Sequence, residues 1–158
     1  MKKILWVTFF LLIHLKVSAQ IKIDQVGDTW VPMVEQSLEL IKKTDTNTYN
    51  FVLRHCKKIS FWNGEYSTVE GDYTITISQG DMKLNSIENI ACVLVHESKH
   101  LQIIQSGESF SLLQEEYICY LWELQFIETL QGEPEWIREN CLNMILKLEP
   151  PKRVSEFN

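Results

Sequence analysis

The chain has 158 residues, enough for one domain and too few for two good cores. At 45% hydrophobic and 23% charged residues it reads as globular, which excludes a disordered chain. Asp and Glu outnumber Lys and Arg, 21 to 15, and the net charge of −6 makes nucleic acid and anionic membrane surfaces poor partners.

The first stretch, "MKKILWVTFFLLIHLKVSAQ", sets Lys2 and Lys3 before an apolar run from Ile4 to Leu15 and ends in small residues. That pattern predicts a secretory signal over residues 1–19, cut after Ala19. The run is about a dozen residues, short of the ~20 that span a bilayer, so no membrane association is expected after cleavage. No cysteine sits at the cut to carry a lipid. Cleavage removes Lys2, Lys3 and Lys16 and no acid, which moves the net charge from −6 to −9. The expected location is extracytoplasmic, periplasmic or secreted. Disulfides are permitted there, and Cys56, Cys92, Cys119 and Cys141 allow three pairings among which the sequence does not choose. None lies in a CxxC, and small buried thiols are the alternative.

A single domain is expected over residues 20–148, followed by a polar tail at 149–158 in which Pro150 and Pro151 stop any helix. "GDTWVPMVEQSLELIKK" predicts a first helix, capped by Asp28 or Thr29, with Val31, Val34, Leu38 and Ile41 at helical spacing. "TNTYNFVLRHCKK" is a weaker second helix. "ISFW" reads as a strand entering an Asn-Gly turn. "YTITIS", residues 73–78, alternates apolar and hydroxyl side chains and predicts a strand with one buried face, closed by "GD". Helices follow at about 86–105, 110–131 and 134–147, separated by Gly107 and Gly132. The expected fold is α+β, with a small antiparallel-containing sheet of two to three strands and about five helices.

The helix expected at about 86–105 carries "VLVHESKHLQI", residues 93–103. Residues four apart stack on one helix face, so His96 and His100 can present imidazole nitrogens to one metal. Glu97, about 100° around the helix, can reach a water on that metal without ligating it. Zinc lowers such a water's pKa towards ~7, and the carboxylate can take its proton as it attacks a carbonyl. Ile90, Val93, Leu94, Val95, Leu101, Ile103 and Ile104 surround the motif, so a buried helix is expected. Two buried imidazoles and a carboxylate need partners, and a metal is one. Ser98 and Lys99 depart from the strictest form of the zinc-peptidase motif.

A catalytic zinc keeps three protein ligands and one open position. No His or Asp follows His100, so a downstream third ligand is a Glu or, less plausibly, Cys119 or Cys141. In "LLQEEYICYLWELQFIETL", Glu116 falls mid-stripe among Leu112, Leu113, Cys119, Tyr120, Ile127 and Leu130 on a helical projection. Glu115 lies at the edge of that stripe and Glu123 lies on it. An acid centred on an apolar face is the anomaly that ligation explains, which makes Glu116 the expected ligand and Glu123 a partner for a ligating histidine. Glu115 and Glu123 stay open as alternative ligands. Tyr120, Tyr117, Tyr73 and His55 are candidates for stabilising a developing oxyanion, and Tyr120 shares the Glu116 face.

"VLVHESKH" followed by "EEYICYLWELQFIETL" resembles the small gluzincin-type (minigluzincin) zinc metallopeptidases over about residues 73–131. That family joins an HExxH helix to a Glu-bearing helix in a zincin-like core, often with an ExxA step, which here is Glu116-Tyr117-Ile118-Cys119. The resemblance implies one zinc per chain, held by His96, His100 and Glu116, with Glu97 as base in peptide-bond hydrolysis. It also implies a peptide or protein substrate bound along an antiparallel edge strand, a place "YTITIS" resembles. The expected function is a secreted or periplasmic zinc-dependent peptidase. The alternative is a non-catalytic zinc-binding extracytoplasmic protein with the same ligands.

Overall fold

The structure, a computed structural model, describes residues 21–25, 30–132 and 134–148. The expected signal, the Asp28 or Thr29 cap and the tail lie outside the described residues. Two helices open the fold, α1 (Trp30–Thr44) and α2 (Thr46–His55). Val34, Ser37 and Ile41 form the buried stripe of α1 at the helical period. Asp45 separates the two and caps α2, accepting from the Asn47 backbone and from the Thr48 hydroxyl at 2.6 Å.

Four strands follow or flank them: β1 (Lys22–Ile23), β2 (Lys58–Trp62), β3 (Thr68–Glu70) and β4 (Thr74–Ser78). Their order in the sheet is β1-β2-β4-β3, with β1, β2 and β4 parallel and β3 antiparallel to β4. Two strands more than the clear pair thus emerge. β1 is only two residues long, and β3 is a short polar run whose identity comes from pairing with β4 rather than from its own pattern.

The expected role of "YTITIS" is corrected: β4 lies inside the sheet, between β2 and β3, so β3 is the antiparallel edge. Nor is one face of β4 open. Ile75, Thr76, Ile77 and Ser78 are all buried. Its hydroxyls tolerate this because each is bonded, Thr76 to Ser60 at 2.8 Å and Ser78 to Asp81 at 2.7 Å. The "GD" after the strand enters a short helix, α3 (Gln79–Lys83), capped by Ser78.

The centre of the molecule is α4 (Ile87–Ser106), which packs against α1, α2, β4 and α5 (Leu112–Ile127). Ser86 caps its start by accepting from the Asn89 backbone. It stops at Gly107, whose φ of 71° is the left-handed conformation that terminates a helix cheaply with glycine. Five residues then turn the chain back, and a reciprocal Ser111–Gln114 capping box starts α5. Helix α6 (Glu135–Lys147) packs against α5.

Among the described residues the result is the expected α+β class, with six helices and four strands. Ile90, Leu94, Val95 and Leu101 of α4 are wholly buried, each contributing roughly 1.5–3 kcal/mol by leaving water. No helix among the described residues is long and apolar enough to cross a membrane.

Candidate metal centre

Two consecutive turns of α4 place His96 and His100 side by side, both buried, with ring centroids 5.1 Å apart and their Nε2 atoms 3.3 Å apart. Opposite them, the Glu116 carboxylate of α5 reaches both: Oε2 lies 3.4 Å from His96 Nε2, and Oε1 lies 3.4 Å from His100 Nε2. The two ring nitrogens thus stand 3.3 Å apart, and each faces a different oxygen of the one carboxylate at 3.4 Å. Ligands about 2.05 Å from a tetrahedral metal stand roughly 3.3–3.4 Å apart, which is the spacing of the two nitrogens and of each nitrogen from its nearer carboxylate oxygen.

Each histidine is oriented from behind by a second acid of α5. His96 Nδ1 meets Glu123 at 2.9 Å, and His100 Nδ1 meets Glu115 at 2.7 Å. A carboxylate only accepts, so the hydrogen sits on Nδ1 in both rings. That arrangement turns Nε2 of each ring towards the shared centre and raises its basicity. The Cys119 thiol completes a buried group in which His96, His100 and Cys119 bring ligand atoms within 4.8 Å of one another, a group that could hold a metal ion.

The electrostatics follow from the packing. Burial works against a charged imidazole at His96, but Glu116 and Glu123 outweigh it and hold the ring up at about 10. The same contest raises His100, where Glu116 and Glu115 prevail over burial. Glu116 is held down to about 2 by His100 and His96. Glu97, 7% exposed, is raised chiefly by burial. Cys119 is also raised, first by burial and then by Glu116 and Glu115.

His96, His100, Glu115, Glu116 and Glu123 line a cleft of about 760 Å³ between β3 and helices α4, α5 and α6. Glu97 and Tyr120 face it together with the histidines. The Tyr120 ring stands edge-on to His96 at 4.4 Å, and burial raises its hydroxyl. Tyr117, Tyr73 and His55 do not line the cleft, and His55 is tied to Gln105 at 2.7 Å.

One premise of the sequence reading is corrected. Glu116 is not sunk in an apolar face: 31% of its side chain is exposed, and Leu112, a turn earlier, is 72% exposed. The first turn of α5 forms the mouth of the cleft, where apolar residues reach water. The least exposed acid of that helix is Glu123, at 12%. On α4, Ala91 and Ser98 are wholly buried. Ser98 is accommodated by donating to the Val95 carbonyl at 2.8 Å. Lys99 lies over the Trp122 ring at 5.6 Å, outside the cleft lining, so neither departure from the strict motif enters the site. Cys56, Cys119 and Cys141 are buried free thiols. The pairing of Glu115 with His100 has no mark in the helical projection, which ranks faces by hydrophobicity and not by reach across to α4.

No protein-family model, no curated protein and no solved structure matches this chain.

Proposed function

We propose that this chain is a zinc-dependent peptidase of the gluzincin type, acting outside the cytoplasm, with one zinc held by His96, His100 and Glu116. The observation that carries the proposal is the convergence of both Nε2 atoms, 3.3 Å apart, on the two oxygens of Glu116 at 3.4 Å each, with both Nδ1 atoms already occupied by acids. Two nitrogens and one oxygen suit a borderline ion such as zinc, and three protein ligands leave a fourth position for chemistry.

When bound, such an ion supplies Lewis-acid polarisation of a water and of a substrate carbonyl. The protein's own residues do the rest. Glu97 faces the same cleft from the turn between the two histidines, where its carboxylate takes a proton from the attacking water and returns it to the leaving amine. Glu123 and Glu115 hold the imidazoles in one tautomer and one orientation. Tyr120 supplies a phenol along the cleft wall for the developing oxyanion.

A second reading has its own support in Cys119. A thiolate there would close the fourth position and make a structural site of the same histidines. Metal analysis of the wild type beside His96→Ala, Glu116→Ala and Cys119→Ala separates the two. A peptidase loses zinc with the first two changes and keeps it with the third. Glu97→Gln should keep zinc and lose about 10²–10⁴-fold in turnover of a peptide pool. A chain without zinc after reconstitution, or a Glu97→Gln variant as active as wild type, would sink the peptidase.

A further inference from the structure

One wall of the cleft is built from a stretch of chain that its own strand pairing holds weakly. Strand β2 ends at Trp62, paired with Ser78 of β4, and β3 begins at Thr68 on the other side of β4, paired with Thr76. Residues 63–67 must therefore pass over the end of β4, and the two strands they join are not neighbours in the sheet. No hairpin ladder holds such a crossing. Strand β3 itself is three residues long and pairs on one side only. Yet Glu65, Tyr66, Ser67, Thr68 and Val69 all line the cleft.

A single carboxylate oxygen reinforces this crossing. Asp81 Oδ2 accepts from the Ser67 hydroxyl at 2.6 Å, from the Ser67 backbone N–H at 3.2 Å and from the Ser78 hydroxyl at 2.7 Å. The Ser67 hydroxyl in turn accepts from the Ser78 backbone N–H at 2.9 Å. Ser67 is the residue before β3 and Ser78 is the last of β4, so the network fixes where these two strands meet. Hydrogen bonds to an ionised acceptor are roughly twice as strong as neutral ones. Gly80 lets the loop come this close. Its N–H donates to the Gly64 carbonyl at 3.0 Å, and a Cβ in its place would collide with the Glu65 carbonyl.

Burial of the loop does not account for this fastening, because Tyr66 stays 78% exposed. Nor do the bonds of Asp81 reach the metal centre: they go to Ser67 and Ser78, not to His96, His100 or Glu116. What they hold in place is the wall.

Resting on the peptidase reading, we infer that Asp81 is a positioning residue of the cleft. Acting through Ser67 and Ser78, it keeps residues 65–69 in the shape that a bound substrate meets, and so sets substrate affinity while the chemical step stays with the metal centre. A loose wall has to be ordered at every binding event, which lowers affinity. Once the substrate is seated the wall is ordered either way, so the loss falls on KM and not on kcat.

The test uses the full chain loaded with zinc, with quenched fluorescent octapeptides randomised over Ala, Leu, Phe and Lys as the probe. Ser67→Ala removes the hydroxyl but leaves Asp81 and its bond to Ser78 in place. It should raise the apparent KM of the pool by about three- to tenfold with kcat within about twofold of wild type. Ser67→Thr keeps the hydroxyl and should restore KM. Asp81→Ala removes the shared acceptor and should raise KM at least as far as Ser67→Ala. Thr48→Ala is the control for simple loosening. It deletes an equivalent hydroxyl-to-carboxylate bond, to Asp45 at 2.6 Å, and neither residue lines the cleft, so KM should stay at the wild-type value. A second readout needs neither zinc nor turnover. Backbone amide exchange over residues 63–70 of the metal-free chain should quicken in Ser67→Ala and not in Ser67→Thr or Thr48→Ala.

An unchanged KM in Ser67→Ala, a rise of the same size in Thr48→Ala, or a loss that falls on kcat overturns the inference. So does exchange over residues 63–70 that is the same in Ser67→Ala as in wild type. A zinc-loaded wild type that cleaves no member of the pool overturns the peptidase reading instead, and this inference with it.

Discussion

The two sides of α4 are equally dry and differ in almost everything else. On one, Leu94, Val95, Ser98 and Leu101 are wholly buried against the core. On the other, Asn89, His96, Glu97 and His100 are buried to nearly the same degree in the wall of the cleft. Aliphatic side chains need only a neighbour of suitable shape. Imidazoles and carboxylates need particular atoms at particular distances, and here most of those atoms come from α5. A helix can therefore be strongly fixed by one side while its other side holds groups that repay burial only when a partner helix, and a cation, are in place.

The largest effect that separates the two sides is on stability. Leu94→Ala removes a wholly buried side chain and should lower unfolding free energy by about 2–5 kcal/mol. Its zinc affinity, measured by competition with a chelating dye below the melting temperature, should stay at the wild-type value. A large loss of affinity would show that the cleft side depends on core packing, and the comparison would collapse.

The contrast also explains what could be read in advance. Helix α4 and its burial are legible because Ile90, Leu94, Val95 and Leu101 recur along a segment capped by Ser86 and stopped by Gly107. His96 and His100 are legible because the spacing of four is local. The acids on their far nitrogens are not local: Glu115 lies 15 residues beyond His100, and Glu123 lies 27 beyond His96. Projecting α5 alone ranks Glu116 and Glu123 together and sets Glu115 aside, because it omits where α4 lies. The same omission set Leu112 on the apolar stripe beside Glu116, although it stands exposed at the cleft mouth. Strand β3 was hidden for a related reason: Thr68, Val69 and Glu70 become a strand through pairing with Thr76, Ile75 and Thr74.

A smaller effect sharpens the comparison within the cleft side. Glu123→Gln and Glu115→Gln keep side-chain volume but exchange a charged acceptor for a neutral one. Each should weaken zinc binding by about 10–100-fold while leaving the fold intact. Glu123 is more deeply buried than Glu115, 12% against 23% exposed, so its loss should fall nearer the upper end. Equal, negligible losses would mean that the imidazoles are oriented by packing alone, as Leu94 is.

The smallest effect is one of pH, and it distinguishes the metal-free chain from the loaded one. In the metal-free chain, His96 is raised to about 10 despite burial, because Glu116 and Glu123 of α5 favour its charged form and Glu97 of α4 adds to them. Glu116 is lowered to about 2 by His100 and His96. A raised histidine stabilises fully below its ordinary value of 6.5 and loses that contribution as pH climbs through about 10. A lowered carboxylate stabilises fully above 4.5 and loses its contribution as pH falls towards 2. The metal-free protein should therefore melt highest between about 4.5 and 6.5 and decline as pH rises from 6.5 to 10. A bound cation replaces the proton between the imidazoles, and ligation requires deprotonated nitrogens, so zinc affinity should rise over the same alkaline interval. Melting curves of the chelator-treated and zinc-loaded chains should diverge as pH increases, with the metal-free curve falling. If both curves run parallel from pH 6.5 to 10, the proton and the metal do not compete for one place, and His96 belongs with the inert side of its helix.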